Sequence, residues 1–195
     1  MANADEILAF WLDQVGPKGW YTGGPELDQK IRDRFESVYN RVREGSLSLW
    51  LTYPTGTLAY IILTDQFSRN MFRDTGQAFA TDKIARAAAK AAIAKGWDKR
   101  IDEPARHFFY MPLVHSECLS DQDRAVRLIL KRLPETGEQQ LLHAQAHREI
   151  IRRYGRFPTR NEALGRENNP GECAYLENGG YGAIVEEMRA AKHAA

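Results

Sequence analysis

The chain has 195 residues, of which 43% are hydrophobic and 27% are charged, so it has enough apolar material for the core of an ordinary globular protein. Its 27 basic and 26 acidic residues leave a formal charge of +1, which gives no global field favouring nucleic acid or an anionic membrane. Two widely separated cysteines, a short longest apolar run at 58–63 and an acidic N-terminal segment predict a cytoplasmic protein without disulfides, a membrane span or a secretory signal.

Apolar residues at helical spacing predict that the first part of the chain is a series of α-helices. The first helix covers about 4–14, with Asn3 as a candidate cap. The loop at 20–24 is expected to place its aromatic residues against the core. A second helix follows at about 25–44. The third, at about 54–72, is apolar nearly all round, and such a helix belongs in the middle of a fold.

The rest of the chain is predicted to continue as helices joined by short connections. A fifth helix begins near Pro104 and has Pro112 in its interior, where the missing N–H should kink it. Ser120 is expected to cap the sixth helix. The other predicted helices lie at about 77–95, 120–133, 138–154, 161–165 and 170–178, with a weaker tail from residue 179 onward.

The pattern contains no strand-like alternation and no hairpin dipeptide between apolar runs. The predicted fold is therefore all-α, with antiparallel helical hairpins packed in a compact bundle of about seven main helices plus short C-terminal helices. No linker, low-complexity stretch or charge run divides the chain. We expect a single domain over 1–195, with its core at about 4–178.

Two opposite charges interrupt the apolar face of the third helix. Asp65 and Arg69 are four residues apart and fall in line with Leu58 and Ile62. One interpretation is an internal ion pair that also ties down a neighbouring loop. The other is a pocket floor in which Asp65 orients Arg69 toward an anionic ligand.

Histidines form the second polar feature. His115 and Glu117 follow the Pro112 kink, and they are only two residues apart, so on a regular helix they would point to different sides. His143 and His147 are one helical turn apart and project inward. Core histidines satisfied by hydrogen bonds, a proton-transfer or ligand-orienting role, and a two-histidine metal site are the alternatives. The zinc-protease motif is absent, and we predict neither a metal site nor a cofactor.

Arginines recur in the loop that follows the seventh helix, at Arg156, Arg160 and Arg166. Some of them are expected to neutralise the carbonyl end of that helix. The sharper interpretation is a clamp for phosphate or carboxylate. Interleaved acidic residues disfavour nucleic acid.

These polar positions belong to a set of motifs that resembles a known family. The motifs are Phe10-Trp11, Asp65-Gln66-Phe67-Ser68-Arg69-Asn70, Tyr110-Met111-Pro112-Leu113, His115-Ser116-Glu117, His143 with His147-Arg148, Gly155-Arg156-Phe157-Pro158, Arg160-Asn161 and Leu164-Gly165-Arg166. From about residue 5 to 178, the chain resembles the bacterial and fungal family called domain of unknown function 924. The resemblance implies an all-α fold similar to tetratricopeptide-repeat proteins, and it implies no established activity, cofactor or partner. Ser68 stands where the family often has proline.

The sequence therefore predicts a polar pocket between helices for a small anionic molecule, with acid–base chemistry as a further hypothesis and enzymatic activity left open. The alternative is a helical-repeat-like module that binds a protein or peptide and catalyses nothing. Neither nucleic acid nor a membrane is expected as a partner. The catalytic candidates are His115, Glu117, His143 and His147, and the ligand-binding candidates are Asp65, Arg69, Asn70, Arg73, Tyr110, Arg156, Arg160 and Asn161.

Overall fold

The computed structural model describes residues 3–193, and these residues form helices and turns with no β-strand. The all-α prediction is confirmed. The chain divides into two compact units, Met1–Pro112 and Leu113–Ala195. Among the described residues, no helix has both the length and the apolar composition that crossing a bilayer requires.

The first helix, α1, lies where it is predicted. It consists of Ala4–Leu8 and the π-helical segment Ala9–Val15, and a separate turn at Gly16–Gly19 follows it. Asn3 caps it as expected, because its side-chain oxygen accepts the backbone N–H of Glu6 at 2.9 Å. The helix ends at Val15 because Gly16 has a positive φ of 63°, and Pro17 occupies a first-turn position of the separate turn, where no N–H is needed.

The centre of the first unit is the predicted third helix. Helix α2 is Pro25–Arg43, and α3 consists of Pro54–Ile61, the π-helical segment Ile62–Phe67 and the turn Ser68–Met71. Residues 58–63 of α3 are almost completely buried, which confirms the central position. In the π-helical segment and just after it, the Thr64 and Ser68 hydroxyls donate to carbonyls four residues earlier, at 2.7 and 3.0 Å. Such bonds compete with the regular helical ladder and accompany its local widening.

The predicted fourth helix is divided. A 3₁₀ turn at Gly76–Phe79 precedes α4, which is Asp82–Ala94. Thr81 lies between them, and its hydroxyl donates to the Thr64 carbonyl at 2.6 Å, which ties this break to α3. Gly96, in the left-handed conformation, follows the end of α4, and a second 3₁₀ turn covers Trp97–Arg100.

The prediction of a long fifth helix is wrong. The structure has a 3₁₀ turn at Ala105–Phe109 and a short helix, α5, at Met111–Val114. His107 donates from Nδ1 to the Pro104 carbonyl at 2.7 Å, a bond between residues three apart that tightens this turn. Pro112 therefore stands in the first turn of a short helix rather than at a kink inside a long one.

The second unit is built on α6 and α7, which pack along each other, and on a C-terminal helix that packs on α7. Its helices are α6 (Leu119–Arg132), α7 (Gly137–Tyr154), α8 (Pro170–Glu177) and α9 (Gly180–His193). Buried apolar residues of α7 and α9 meet in one core cluster, among them Ile150 and Ile184. The weak tail predicted after residue 178 is thus a helix, because its apolar stripe packs on α7.

Two local predictions in this unit are also wrong. Ser120 lies inside the first turn of α6, and the N-cap residue is Cys118, whose backbone N–H donates to the Ser116 hydroxyl at 3.3 Å. The segment 161–165 forms turns rather than a helix and follows a 3₁₀ turn at Pro158–Arg160. Backbone hydrogen bonds of the turns hold this segment, among them the bond from Leu164 to Arg160 at 3.0 Å and the bond from Arg166 to Asn161 at 2.8 Å.

Candidate functional site

Arg69 is enclosed by two carboxylates in the first unit. Its guanidinium makes a two-pronged contact with Asp82, at 3.0 and 3.1 Å, and donates to the Asp65 backbone carbonyl at 2.8 Å. The buried Asp65 carboxylate lies 3.9 Å away. Burial acts to lower the pKa of Arg69, but the charges of Asp65 and Asp82 outweigh it and raise the pKa. This geometry favours the internal ion-pair interpretation, with the pair joining α3 to the start of α4.

The other candidates of the first unit also hold elements together. Asp28, near the start of α2, accepts from Asn70 at 2.8 Å and from Arg73 at 2.7 and 2.9 Å. Burial acts to raise the pKa of Asp28, but the hydrogen bonds from Arg73 and Asn70 lower it below its usual range. The buried Tyr110 hydroxyl donates to Asp98 at 2.7 Å. Each of these polar groups has a structural role.

In the second unit, Glu117 lies in the turn between α5 and α6 rather than inside a helix. Its carboxylate accepts two bonds from Arg166, at 2.8 and 3.0 Å, and one from the Phe157 backbone N–H at 2.9 Å. Burial acts to raise the pKa of Glu117, but the hydrogen bonds from Arg166 and Phe157 lower it below its usual range. An anion held in this way is a weak base and fixes the arginine-rich loop.

Three histidines of the second unit lie close together. His147 is half-buried, and its Nδ1 lies 2.8 Å from the His143 carbonyl, which can only accept, so Nδ1 carries the proton. The His115 and His147 ring centroids are 6.2 Å apart. His143 Nδ1 lies 2.6 Å from the Tyr181 hydroxyl, and the Tyr181 ring also meets the edge of His147. Burial, with the charges of His115 and Arg160, lowers the pKa of His147 to about 3.

Arg160 completes this group. Its guanidinium donates to the His115 carbonyl at 3.0 Å and lies 4.4 Å from the centre of the Phe157 ring. Its charge contributes to the lowered pKa values of both His147 and Glu117, which places a cation close to both side chains. We call His115, His143, His147, Arg160 and Tyr181 the histidine–arginine cluster.

The remaining candidates join the arginine-rich loop to α8. Arg156 makes a two-pronged contact with Glu172 at 2.6 and 2.8 Å, and these hydrogen bonds hold the pKa of Glu172 at about 2. Asn161 is completely buried and donates to Asn168 at 2.6 Å. Glu172 also completes a capping box with Asn169 at the start of α8. These contacts shape the loop that carries Arg160.

The chain is similar to other proteins over most of its length. A family model described as "Bacterial protein of unknown function (DUF924)" matches residues 7–180. The chain belongs to the DUF924 family. A solved structure of a protein of unknown function from Agrobacterium tumefaciens is similar, with a TM-score of 0.83 and 39% identity over 90% of this chain and 97% of that one. No curated protein matches the chain.

In this DUF924 chain the sequence-predicted residues fall into two groups, one within each unit. Of the second-unit candidates, His115, His143, His147 and Arg160 lie close together. Glu117 instead forms an ion pair with Arg166. Sequence reasoning missed Tyr181, because it lies in the segment taken as a weak tail. Among residues 3–193, no three or more His, Cys, Asp and Glu side chains are arranged to hold a metal ion.

Proposed function

We propose that this DUF924 protein is a cytoplasmic protein whose second unit binds a small anionic molecule, a carboxylate or a phosphate, at the histidine–arginine cluster. The observation that carries the proposal is His147. It is a neutral, half-buried imidazole next to the Arg160 cation, and its Nε2 has no hydrogen-bond partner among residues 3–193.

The local field supports an anionic ligand. Besides burial, the charge of Arg160 lowers the pKa of His147, so the surroundings of this imidazole disfavour a further positive charge. An anion in the same place would be attracted by that field, and it would offset the effect on His147. Desolvated positive groups of this kind are common in sites for carboxylate and phosphate.

The hydrogen-bonding groups and the solvent accessibility of the histidine–arginine cluster also suit a small ligand. His143 is exposed, while His115, His147 and Arg160 are half-buried, so solvent reaches the cluster. The Tyr181 hydroxyl and the imidazoles supply uncharged hydrogen-bonding groups beside one fixed cation. If a bound anion raises the pKa of His147 from about 3, its free Nε2 can accept a proton from the bound molecule, which is the basis for the acid–base hypothesis. The engaged Glu117 carboxylate then acts as a support for the loop and not as the base.

A thermal-shift screen of the untagged protein tests this proposal. The panel contains inorganic phosphate, nucleotides, sugar phosphates, simple carboxylates and divalent metals. A ligand at about a hundred times its dissociation constant should stabilise the protein by roughly 2.7 kcal/mol. For a chain of this size the melting temperature should rise by about 5–10 °C.

Matched variants test whether the thermal shift arises from binding at the histidine–arginine cluster. Arg160→Gln should abolish the shift, whereas Arg152→Gln should retain it, because Arg152 is an exposed arginine of α7 that pairs with Glu149. His147→Gln should weaken it. A shift of equal size in Arg160→Gln and wild type would place the ligand elsewhere. Silence across the whole panel would favour the alternative role in protein or peptide binding.

Proton linkage provides an independent measurement of the same site. A bound anion should raise the pKa of His147 above about 3, so binding should take up protons at acidic pH, between that value and the pKa in the complex, and should tighten as the pH falls through this range. Calorimetric binding enthalpies measured in two buffers with different ionisation enthalpies should therefore differ. Equal enthalpies in the two buffers, with binding that still requires Arg160, would contradict the part assigned to His147.

A further inference from the structure

A cleft in the first unit is a second place where a small molecule can bind. It has a volume of about 320 Å³ and lies between α3, α4 and the 3₁₀ turns at Ser48–Thr52 and Trp97–Arg100. That volume is within the range of ligand-binding clefts in proteins, roughly 300–1,000 Å³. None of the residues that line it belongs to the histidine–arginine cluster.

The walls of the cleft are apolar because α4 presents alanines to it. Four alanines of α4, at 87, 88, 91 and 92, line the cleft together with Ile84 of the same helix, and Leu51 and Trp97 line it from the two 3₁₀ turns. The small side chains leave space where larger ones would have filled the gap against α3. Ile84 is 37% exposed and Leu51 is half-buried, so apolar surface remains open to a bound apolar group.

A small-residue face alone would not define a site, but Tyr60 adds an observation that points to a ligand. Its side chain lines the cleft, and the residue is only 8% exposed. Among residues 3–193 its hydroxyl has no hydrogen-bond partner, and it is accessible from the cleft, so it can donate to a bound molecule. Burial raises the pKa of Tyr60, which keeps this hydroxyl protonated.

A single cation accompanies this donor. Lys95 lines the cleft at the C-terminal end of α4, with its ammonium group 4.2 Å from the centre of the Trp97 ring. No carboxylate of the described residues pairs with it. The cleft thus combines apolar walls, one uncharged hydroxyl donor and one unpaired positive charge.

We propose that this cleft binds an amphipathic monocarboxylate, a medium-chain fatty acid, with its alkyl chain on the alanine face of α4. The single charge and the acceptor oxygens of a carboxylate match one ammonium group and one hydroxyl donor. A phosphate monoester would bring a second charge and a further acceptor oxygen, for which the cleft offers no additional cation. An uncharged alkane or alcohol would form no ion pair with Lys95.

Calorimetric titration of the full chain with hexanoate, octanoate and decanoate, below their micellar concentrations, tests the proposal. Affinity should rise about fourfold with each added methylene, as the free energy of transferring a methylene group from water implies. Octan-1-ol should bind at least tenfold more weakly than octanoate. Equal affinity for the acid and the alcohol, or no dependence on chain length, would overturn the proposal.

Two exposed alanines of α4 provide a matched pair of variants. Ala91 lines the cleft and Ala94 does not, so Ala91→Leu should fill the cleft and weaken octanoate binding at least tenfold, whereas Ala94→Leu should leave it unchanged. Both replacements keep a good helix-forming residue. If the two variants bound octanoate equally well, the ligand would lie outside the cleft and the inference would be wrong.

The polar contacts have their own controls. Tyr60→Phe removes only the unpartnered hydroxyl, so it should weaken octanoate binding several-fold without lowering the melting temperature of the free protein. Lys95→Gln should weaken octanoate and leave octan-1-ol unaffected, with the exposed Lys83→Gln of α4 as the control. Wild-type affinity for octanoate in both Tyr60→Phe and Lys95→Gln would refute the assigned carboxylate recognition.

Discussion

A buried histidine in the first unit makes its stability depend on pH. His107 is 1% exposed, and it donates from Nδ1 to the Pro104 carbonyl at 2.7 Å. Its Nε2 is therefore the acceptor for the Tyr21 hydroxyl, 3.1 Å away. The rings of Phe108 and Trp20 lie against it, with centroids 3.9 and 5.2 Å away. Burial in these surroundings lowers the pKa of His107 to about 4.

The sign and the size of the effect follow from this pKa. In the unfolded chain a histidine has a pKa of about 6.5, so on acidification the unfolded state takes up the proton first. The contribution of His107 to stability is complete above about pH 6.5 and is lost as the pH falls toward 4. Between pH 7 and pH 5 the loss should be about 2 kcal/mol.

Urea unfolding of wild type and His107→Gln at pH 7 and pH 5 measures this contribution. Glutamine does not titrate and keeps a donor and an acceptor, so the variant should be less stable at pH 7 but lose about 2 kcal/mol less than wild type on acidification. His143→Gln is the control, since His143 is exposed and should change the pH dependence less. If His107→Gln lost as much stability as wild type between pH 7 and pH 5, the assignment of a neutral buried histidine would be refuted.

Three further changes test the second unit by the same unfolding measurement. Glu117→Gln should cost about 2–3 kcal/mol, because it weakens charge-assisted bonds from Arg166 and Phe157, and an unchanged midpoint would contradict their structural role. Asn169→Ala should cost about 1 kcal/mol through loss of the α8 capping box, and a neutral result would mean that the cap contributes nothing. Ile184→Ala should cost about 2–4 kcal/mol, since this residue is 4% exposed; a cost below about 0.5 kcal/mol would show that α9 does not contribute to the core.

The sequence was sufficient for the fold class and for most helix positions. Helix periodicity and end signals are local properties, so Asn3 and Gly155 identify the start of α1 and the end of α7 without knowledge of the rest of the chain. The same local reasoning fails between Pro104 and Pro112, where a hydrophobic segment rich in aromatic residues predicts one long helix. The bond from His107 to Pro104 converts it to a 3₁₀ turn, and apolar content does not reveal such a bond.

The candidate site was predictable only where one helix carries it. The spacing of His143 and His147 places both on one side of α7, which the sequence showed directly. Their contact with Tyr181 depends on α9 packing against α7, and the sequence predicts only a weaker tail from residue 179 onward. The pairing of each arginine with a particular carboxylate likewise depends on the tertiary fold, because Arg166 and Glu117 lie 49 residues apart in sequence.

Several arginines of this DUF924 chain stabilise the fold through fixed pairs with carboxylates. Among the described residues, four arginines make two-pronged contacts with a carboxylate of another helix or loop: Arg69 with Asp82, Arg73 with Asp28, Arg156 with Glu172 and Arg166 with Glu117. Such fixed pairs orient backbone segments, and removing one partner leaves an uncompensated charge. Loss of activity after mutation of these motif residues would therefore report on folding. The neutral His147 beside Arg160 is a better position for testing function, because His147→Gln adds no charge and breaks no carboxylate pair of the described structure.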